Sequence, residues 1–452
     1  MKKQKPRDLA LQALNRLSRK AALSDRILDD LFRSAPDLDD RDRAFISHLF
    51  LGVLRWRLRL DWIIEENLDF PLRKIDSSVL NILRLAVYQV LFMSRVPESA
   101  AVDEAVKQVK SKQPRHVVSF VNGILRAICR RKDAALFPDP EKDRVLYLSR
   151  FHSYPEWLVL KWNRELGMEV TESLLAAGNR IPDLVLRTNQ LKVSRPELLE
   201  RLKEEGIPGS PTPFSPQGLR VEDLRGRVDE LPSFRDGLFQ VQDEAAQIAS
   251  FLLAPQSGEA VLDVCAGFGG KSTHLAELMK DRGRVIALDR DARRLLSLEV
   301  NRIRLGIKNV FPLTADATQE ISSLFRTRFD AILIDAPCSG LGVLSRHPDA
   351  KWNKSEADLG RLADLQQTII SKAIPLLRKG GKLLYVVCTI SEEENEEVVR
   401  QSLESHREIA LCDLREQAPE WAQPLIDREG FFRTFPHKHG MDGFFAALFR
   451  KK

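Results

Sequence analysis

Beyond Gln240 the chain alternates short apolar runs with helical segments, and that rhythm admits few folds. The runs are Ala260–Val264, Val285–Asp289, Val310–Leu313, Phe329–Asp335 and Lys382–Cys388. Strands separated by helices predict an α/β domain with a parallel sheet. Sheets of that kind bind ligands beyond the carboxyl ends of their strands. The polar motifs of this region all fall at such ends. A closing run, Gly443–Phe449, reads as a last buried strand.

A chain of 452 residues is too long for this domain alone. Before it, residues 1–138 read as all helix. Leu9, Ala13, Leu14 and Leu17 recur at helical spacing, and Leu80, Leu83, Leu85, Val87, Val90 and Leu91 form a broader buried pattern. Pro71 and Pro97 punctuate helix boundaries, and Phe137-Pro138-Asp139-Pro140 marks a break. Residues 150–240 predict a small α+β module, with helices at 155–166 and 195–205 and a strand at 184–187. A loop crowded with Pro208, Gly209, Pro211, Pro213, Pro216 and Gly218 belongs to it. Residues 241–452 form the α/β domain.

Net charge is +6, but residues 1–150 hold 29 Lys+Arg against 20 Asp+Glu while the rest holds 41 against 44. Between Ala105 and Lys132 stand Lys107, Lys110, Lys112, Arg115, Arg126, Arg130, Arg131 and Lys132 with no acid. Spacing alone allows a solvated helix face; the missing acids favour a surface for phosphates. The best membrane candidate, Val79–Met93, is too short and carries Asn81, Arg84 and Gln89. Lys2, Lys3, Lys5 and Arg7 precede no apolar core, so a cytoplasmic protein is expected. Five cysteines form no C-x-x-C pair and no zinc spacing, and an odd count argues against disulfides. His437 and His439 read as loop residues, and no metal site is expected.

After the first strand comes Asp263-Val264-Cys265-Ala266-Gly267-Phe268-Gly269-Gly270-Lys271-Ser272, opening a helix. A phosphate-binding loop, G-x-x-x-x-G-K-[ST], fits at Gly270-Lys271-Ser272, with Ile332-Leu333-Ile334-Asp335 as its magnesium strand, but Cys265 stands at the first glycine. A dinucleotide loop fits at Gly267 and Gly269 but needs a glycine at Ser272. S-adenosylmethionine carries no phosphate and asks only for a glycine loop and an acid for its ribose hydroxyls. Asp289, ending the second strand, suits the ribose, and Asp316, past the third, is placed for adenine. Acids at successive strand ends favour a methyltransferase over a nucleotide hydrolase or a dinucleotide-binding enzyme, while an RNA-binding assembly factor that merely holds the cofactor stays as the non-enzymatic alternative.

The fourth strand runs into Asp335-Ala336-Pro337-Cys338-Ser339-Gly340, and the fifth into Val387-Cys388-Thr389. Free cysteines usually serve as small buried hydrophobes, and Cys129 and Cys412 are read so. Adjacent strands, however, can bring Cys338 and Cys388 to one pocket. Carbon 5 of a pyrimidine becomes nucleophilic when a thiolate adds to carbon 6. A carboxyl near N3, for which Asp335 is the candidate, stabilises the developing charge, and a base must then remove the carbon 5 proton. Spacing leaves open which cysteine attacks.

These motifs, with Glu393-Glu394-Asn395-Glu396, resemble the RNA cytosine-5 methyltransferases, and the whole chain resembles the RsmB (Sun) family, which methylates a cytosine of bacterial 16S ribosomal RNA. The resemblance implies a NusB-like all-α RNA-binding domain, a small α+β module and a Rossmann-like class I methyltransferase domain. It implies Cys388 as nucleophile, Cys338 in proton removal and release, and Asp335 beside them. Cofactor contacts would come from Cys265, Ala266, Gly267, Phe268, Gly269, Gly270, Lys271, Asp289, Asp316 and Asp335. Arg346-His347-Pro348-Asp349-Ala350-Lys351-Trp352 resembles the substrate-side loop, with Arg346 and Lys351 for phosphates and Trp352 read as core. Gln242-Asp243-Glu244 resembles the first motif of the catalytic domain. The implied partner is 16S ribosomal RNA in an unassembled or partly assembled small subunit, and one chain suffices, so a monomer is expected. Two departures stand out: Gly267 and Phe268 replace the family's Ala and Pro, and Glu392 replaces a frequent proline. At the second, Ser391 and Glu394 fit a capping box, S-x-x-E.

Overall fold

The structure is a computed structural model that describes residues 5–19, 23–132, 136–222, 224 and 226–452. Lys2, Lys3 and the end of the expected all-helical stretch at 133–135 lie outside the described residues. The chain packs as two compact units, one of Met1–Arg180 with Leu344–Lys354, the other of Ile181–Val343 with Ser355–Lys452.

The first unit is helical. Its helices are α1 (Pro6–Arg19), α2 (Ser24–Ser34), α3 (Asp40–Arg55), α4 (Arg57–Glu65), α5 (Ser77–Phe92), α6 (Glu98–Lys110), α7 (Arg115–Arg131), α8 (Arg144–His152), α9 (Glu156–Leu166) and α10 (Met168–Ala177). α5 is the axis of the core, with Val79, Ile82, Leu83, Leu85, Ala86 and Val87 all buried. Asp76 starts it by accepting the N–H groups of Ser78 and Val79, which an N-terminal turn leaves unpaired. The apolar surround would penalise the α5 guanidinium of Arg84, but it meets both Asp61 oxygens at 2.6 and 2.7 Å. α8 packs on α4 and α9 on α8, so the compact helical unit continues through α9 and α10 to Arg180.

Leu344–Lys354 threads into this unit. Asp349 accepts Ser24 N and Oγ at 3.2 and 2.7 Å, Arg55 donates to Ser345 O, and Trp352 Nε1 donates to Leu54 O. Lys351 is 0% exposed. Its ammonium donates to Asn179 Oδ1 at 2.7 Å, Arg55 O at 3.2 Å and Ser153 O at 3.3 Å, and lies 3.6 Å from the Tyr154 ring centre. That arrangement corrects the expectation of a phosphate-binding Lys351, because all three of its donors are spent on buried acceptors. Arg346 is half-buried in the same segment.

The second unit carries two sheets. The smaller, ordered β2-β3-β1-β4, is antiparallel and comprises β1 (Leu184–Thr188), β2 (Gly209–Pro211), β3 (Gly218–Val221) and β4 (Phe239–Val241), with α11 (Arg195–Glu204) against it. After α12 (Glu244–Leu253) come β5 (Ala260–Asp263), α13 (Gly270–Leu278), β6 (Arg284–Asp289), α14 (Ala292–Leu305), β7 (Val310–Thr314), β8 (Phe329–Asp335), α15 (Glu356–Ala373), β9 (Leu377–Val387), α16 (Glu396–Ser405), β10 (Ile409–Cys412), β11 (Phe432–Arg433) and β12 (Phe445–Lys451). Strands β9-β8-β5-β6-β7 are parallel. β8 carries four successive buried residues, Ala331 to Ile334, as a strand covered on both faces requires.

To the expected parallel strands the structure adds an antiparallel edge. β12 pairs antiparallel with β9, and β10 and β11 pair antiparallel with β12. Gly342 and Gly443 make the closing approach possible: Gly443 N donates to Gly342 O at 2.8 Å, and a Cβ on Gly342 would lie 1.9 Å from Gly443 O. The chain leaves β5 for β6 on one side while β8 lies on the other, so the sheet has its switch point beyond β5 and β8. Among the described residues no helix is long and apolar enough to cross a membrane.

Replacing Lys351 by Ala strands three buried acceptors, and each costs about 1–3 kcal/mol when unpaired, partly offset by removal of a desolvated charge. We expect a net loss of about 2–4 kcal/mol in the helical unit, read by native-state hydrogen exchange of α3 amides. A change below about 0.5 kcal/mol, normal for surface positions, would contradict the buried role.

Candidate active site

The loop between β5 and α13 follows the switch point. Val264 N donates to Leu333 O and Ala266 N to Leu288 O, both at 2.9 Å, so the loop is stitched to β8 and β6. Gly267 and Gly269 have φ of +56° and +80°, and a Cβ on Gly269 would meet Leu298 of α14 at 2.3 Å. Only glycine satisfies both demands at 269. Asp289, at the end of β6, accepts Gly267 N through Oδ2 and Asp291 N through Oδ1, each at 2.8 Å. Each oxygen retains a lone pair for a hydroxyl donor. Asp316 Oδ1 is engaged by Thr318 N and Oγ1 at 2.9 and 2.7 Å, which holds its carboxyl below the usual range. Phe268 is 61% exposed, with Arg294 5.6 Å from its ring centre.

Lys271 is turned away from any phosphate role. Its ammonium pairs with Asp335 Oδ2 at 2.7 Å and lies 5.2 Å from the Phe444 ring centre. Burial opposes the Lys271 charge, but Asp335, helped by Cys388 and Asp263, raises its pKa overall. The P-loop-like reading fails here for that physical reason. Asp263, buried beneath, accepts Ser272 Oγ at 2.6 Å. Burial is the main force raising its pKa to about 7, with Asp335 adding to it and Ser272 and Lys271 opposing. The Cys265 thiol is likewise pushed well up by burial and then by Asp263, Asp335 and Asp289. A thiol so placed is a poor nucleophile.

Cys338 and Cys388 meet. β8 and β9 are neighbours, with Asp335 opposite Val386, so the residues just past their ends converge. The two sulfurs are 3.2 Å apart. Ala336 N donates to Val386 O at 2.9 Å, Gly342 N to Cys388 O at 3.1 Å, and Ser339 Oγ and Thr389 Oγ1 bond at 2.8 Å. The hydrogen bond to Cys388, then burial, holds the Cys338 thiol well above its ordinary range. Cys338 therefore keeps its proton and can donate it to the Cys388 sulfur. Cys129 packs against the apolar core of the helical unit, and Cys412, on β10, packs against a cluster that Cys388 also borders.

The expected Ser391–Glu394 capping box is absent. Glu392–Glu394 is a short 3-10 turn, Ser391 Oγ donates to Glu393, and the Glu394 side chain turns inward to Ser339 N. Arg187 on β1 was not singled out from sequence. Its guanidinium, fully buried, pairs with Glu277 at 2.7 Å and donates to Gly270 O at 2.6 Å, Thr273 Oγ1 at 3.1 Å and Gln242. It thus clamps the start of α13, and nothing in the pattern Leu-Arg-Thr signals it. Gln242-Asp243-Glu244 has structural partners: Asp243 caps α12, and Glu244 accepts Phe214 N and Ser215 N at 2.7 Å. On α7, Arg115, Arg126 and Arg130 are exposed, whereas Lys107 and Lys132 pair with Glu104 and Glu98.

A profile of the 16S rRNA methyltransferase RsmB/F family matches residues 250–450, a NusB family profile 4–130, and a profile of the RsmF/B-like ferredoxin-like domain 154–226. The chain is 36% identical over 453 residues to the probable ribosomal RNA small subunit methyltransferase B of Bacillus subtilis, covering 100% of both. It is 33% identical to the ribosomal RNA small subunit methyltransferase B of Proteus mirabilis, covering 92% of each. Among solved structures, PH0851 aligns over 99% of both chains with a TM-score of 0.81 and 28% identity. NSun6 from Pyrococcus horikoshii, solved with SFG, aligns over 67% of this chain and 99% of its own, with a TM-score of 0.60 and 26% identity.

Asp263 gives the site a pH signature. Its folded pKa of about 7 lies above the unfolded value of about 3.9, so the native state holds the proton more tightly. The stability this contributes is full below pH ~4 and is lost as pH rises to ~7, with a magnitude on the order of 4 kcal/mol. Asp263→Asn removes the titration. The variant's melting temperature relative to wild type should climb between pH 4 and 7 and then level off; a difference constant with pH would show that Asp263 ionises normally.

Proposed function

Because the chain belongs to the ribosomal RNA small subunit methyltransferase B family, we propose that it transfers a methyl group from S-adenosylmethionine to carbon 5 of a cytosine in 16S ribosomal RNA, through a covalent bond from Cys388 to carbon 6. The observation that carries this reading is the 3.2 Å approach of Cys338 and Cys388 beside the Lys271–Asp335 pair. A lone cysteine can be packing; two at adjacent strand ends next to a half-buried acid fit one specific chemistry.

S-adenosylmethionine supplies an electrophilic methyl group when bound. The residues fit it: the glycine loop ends in a lysine already neutralised by Asp335, and the polar groups around it are carboxylate acceptors. The relative solved with SFG, an S-adenosylmethionine analogue, supports the same cofactor. Asp289 accepts the ribose hydroxyls, the backbone of Cys265 to Lys271 lines the cofactor, and Asp316 offers its Oδ2 to the adenine amino group.

In the reaction the Cys388 thiol gives its proton to solvent, its sulfur bonds to carbon 6 and the ring electrons move toward carbon 5. The Lys271–Asp335 pair holds a proton that it shares with N3 as charge grows there. With the cofactor bound, carbon 5 would take the methyl group as the methyl–sulfonium bond breaks, its electron pair staying on the sulfur of the departing S-adenosylhomocysteine. Cys338 passes its proton to the Cys388 sulfur and takes the carbon 5 proton in its place, the electrons of that C–H bond restore the ring double bond, and the bond from Cys388 to carbon 6 breaks with its pair returning to the sulfur. The base must leave its stack to be reached, so the target is a single-stranded or flipped cytosine in unassembled or partly assembled small-subunit RNA. Arg115, Arg126 and Arg130 of α7 make phosphate contacts that position the RNA. The work is done by one chain in the cytoplasm.

The test incubates Cys338→Ala and Cys388→Ala proteins with unmethylated small-subunit RNA and S-adenosylmethionine, followed by denaturing gels. Cys338→Ala should leave a stable protein–RNA band, and Cys388→Ala and the double variant none. The opposite pattern would exchange the cysteine roles. Methylation surviving in Cys388→Ala would exclude attack by that sulfur.

A further inference from the structure

Cys338 sits on a loop, and its reaction requires its sulfur to be held within a fraction of an ångström. The peptide groups on both sides of it are gripped by one buried cluster. Before it, Pro337 O accepts Gln366 Nε2 at 3.0 Å; after it, Ser339 N donates to Glu394 Oε1 at 2.8 Å. The grips are joined, because Gln366 Nε2 also donates to Glu394 Oε1 at 3.0 Å. Tyr385 completes the cluster, its hydroxyl reaching both Gln366 Oε1 at 2.8 Å and Glu394 O at 2.7 Å. Gln366, Tyr385 and Glu394 are each 0% exposed.

The three come from three elements. Gln366 lies on α15, Tyr385 inside β9 three residues before Cys388, and Glu394 on the turn leading into α16. A carboxyl, an amide and a phenol in an apolar interior are costly unless mutually bonded. Packing alone would be served by aliphatic residues of similar size. What the polar set adds is a fixed address for the two peptide groups that flank Cys338.

Resting on the assignment of release to Cys338, we propose that Glu394, Gln366 and Tyr385 are positioning residues that hold the Cys338 loop in register with Cys388, so that their loss impairs release of the methylated RNA more than attack upon it. Cys388 keeps its own backbone support from the β9 ladder and from Gly342 N, and neither of those backbone contacts uses the Glu394 carboxyl. Burial also raises the Glu394 pKa, and its charge in turn adds to the forces that keep the Cys338 proton in place. Geometry and charge therefore make different demands on residue 394. A glutamine satisfies the first, since its carbonyl accepts the Ser339 and Gln366 donors; it lacks the second.

The full-length protein is tested as Glu394→Ala, Glu394→Gln, Gln366→Leu and Tyr385→Phe, with Cys338→Ala as reference, on unmethylated small-subunit RNA. Multiple-turnover kinetics and denaturing gels are read together. Glu394→Ala and Gln366→Leu should lower kcat about tenfold to a hundredfold, the usual result of displacing a reacting group by about 1 Å. The KM for S-adenosylmethionine should stay unchanged, and a covalent protein–RNA band should accumulate as in Cys338→Ala. Glu394→Gln should restore turnover and abolish the band. Tyr385→Phe, which keeps both grips but loosens the cluster, should fall between. If Glu394→Ala does not fold, Gln366→Leu carries the test, because it frees Pro337 O while leaving the Glu394–Ser339 bond. A Cys338→Ala band with none in Gln366→Leu or Glu394→Ala overturns this inference alone. Failure of Glu394→Gln to rescue replaces positioning with a role for the charge. No band even in Cys338→Ala overturns the parent reading, and this inference with it.

Discussion

The site depends on the hydrogen-bond register between β8 and β9. Parallel pairing sets Asp335 opposite Val386 and ends both strands together, so two loops of unrelated sequence emerge side by side. Two distances at the site follow from that alignment, the sulfur pair at 3.2 Å and the Ser339–Thr389 bond at 2.8 Å, while the parallel pairing of β5 with β8 brings Lys271 within 2.7 Å of Asp335. A slip of one residue would turn each side chain to the opposite face of the sheet and dissolve the arrangement. Register is protected by burial on both faces, since Ala331 to Ile334 and Leu383 to Val387 are all interior.

Around that register the chain concentrates buried charge. Lys271 is balanced by Asp335, Arg187 by Glu277, while Asp263 and Glu394 are carboxyls driven up by burial. Such groups are weak sources of net stability, because desolvation cancels much of their attraction. Their use lies in fixing positions. Arg187 holds the start of the helix that carries Lys271, and Glu394 holds the peptide after Cys338. The same low-dielectric surroundings that make these pairs costly strengthen their pull on any charge that develops between them.

Apolar runs and strand-end acids were legible in the sequence because both are local. β8 occupies Phe329–Asp335 as its run of apolar residues predicts, and the loop after β5 opens α13 at Gly270. Strand direction was not legible: the run Gly443–Phe449 announces burial, but its antiparallel pairing with β9 is a long-range match that no local pattern encodes. Lys351 failed for a related reason. The substrate-side loop that its segment resembles implies a phosphate contact, and its acceptors, on Arg55, Ser153 and Asn179, are more than 170 residues away. Glu394 was read as a cap because Ser391 precedes it at the right spacing; the unpaired Ser339 N–H across the sheet end outcompeted that local bond. The two cysteines converge as adjacent strands suggest, while the cluster of Gln366 and Tyr385 that steadies one of them leaves no pattern to read.

The central claim is that the Cys388 sulfur bonds to the base before methyl transfer is complete. The direct measurement uses small-subunit RNA in which cytidine is replaced by 5-fluorocytidine, whose carbon 5 fluorine cannot leave as a proton does. Wild-type protein and S-adenosylmethionine are added, the product is digested, and the peptide carrying the nucleotide is identified by mass spectrometry. The account predicts a methylated nucleotide joined to the peptide that contains Cys388. Attachment at Cys338, or full methylation with no attached peptide, would contradict it.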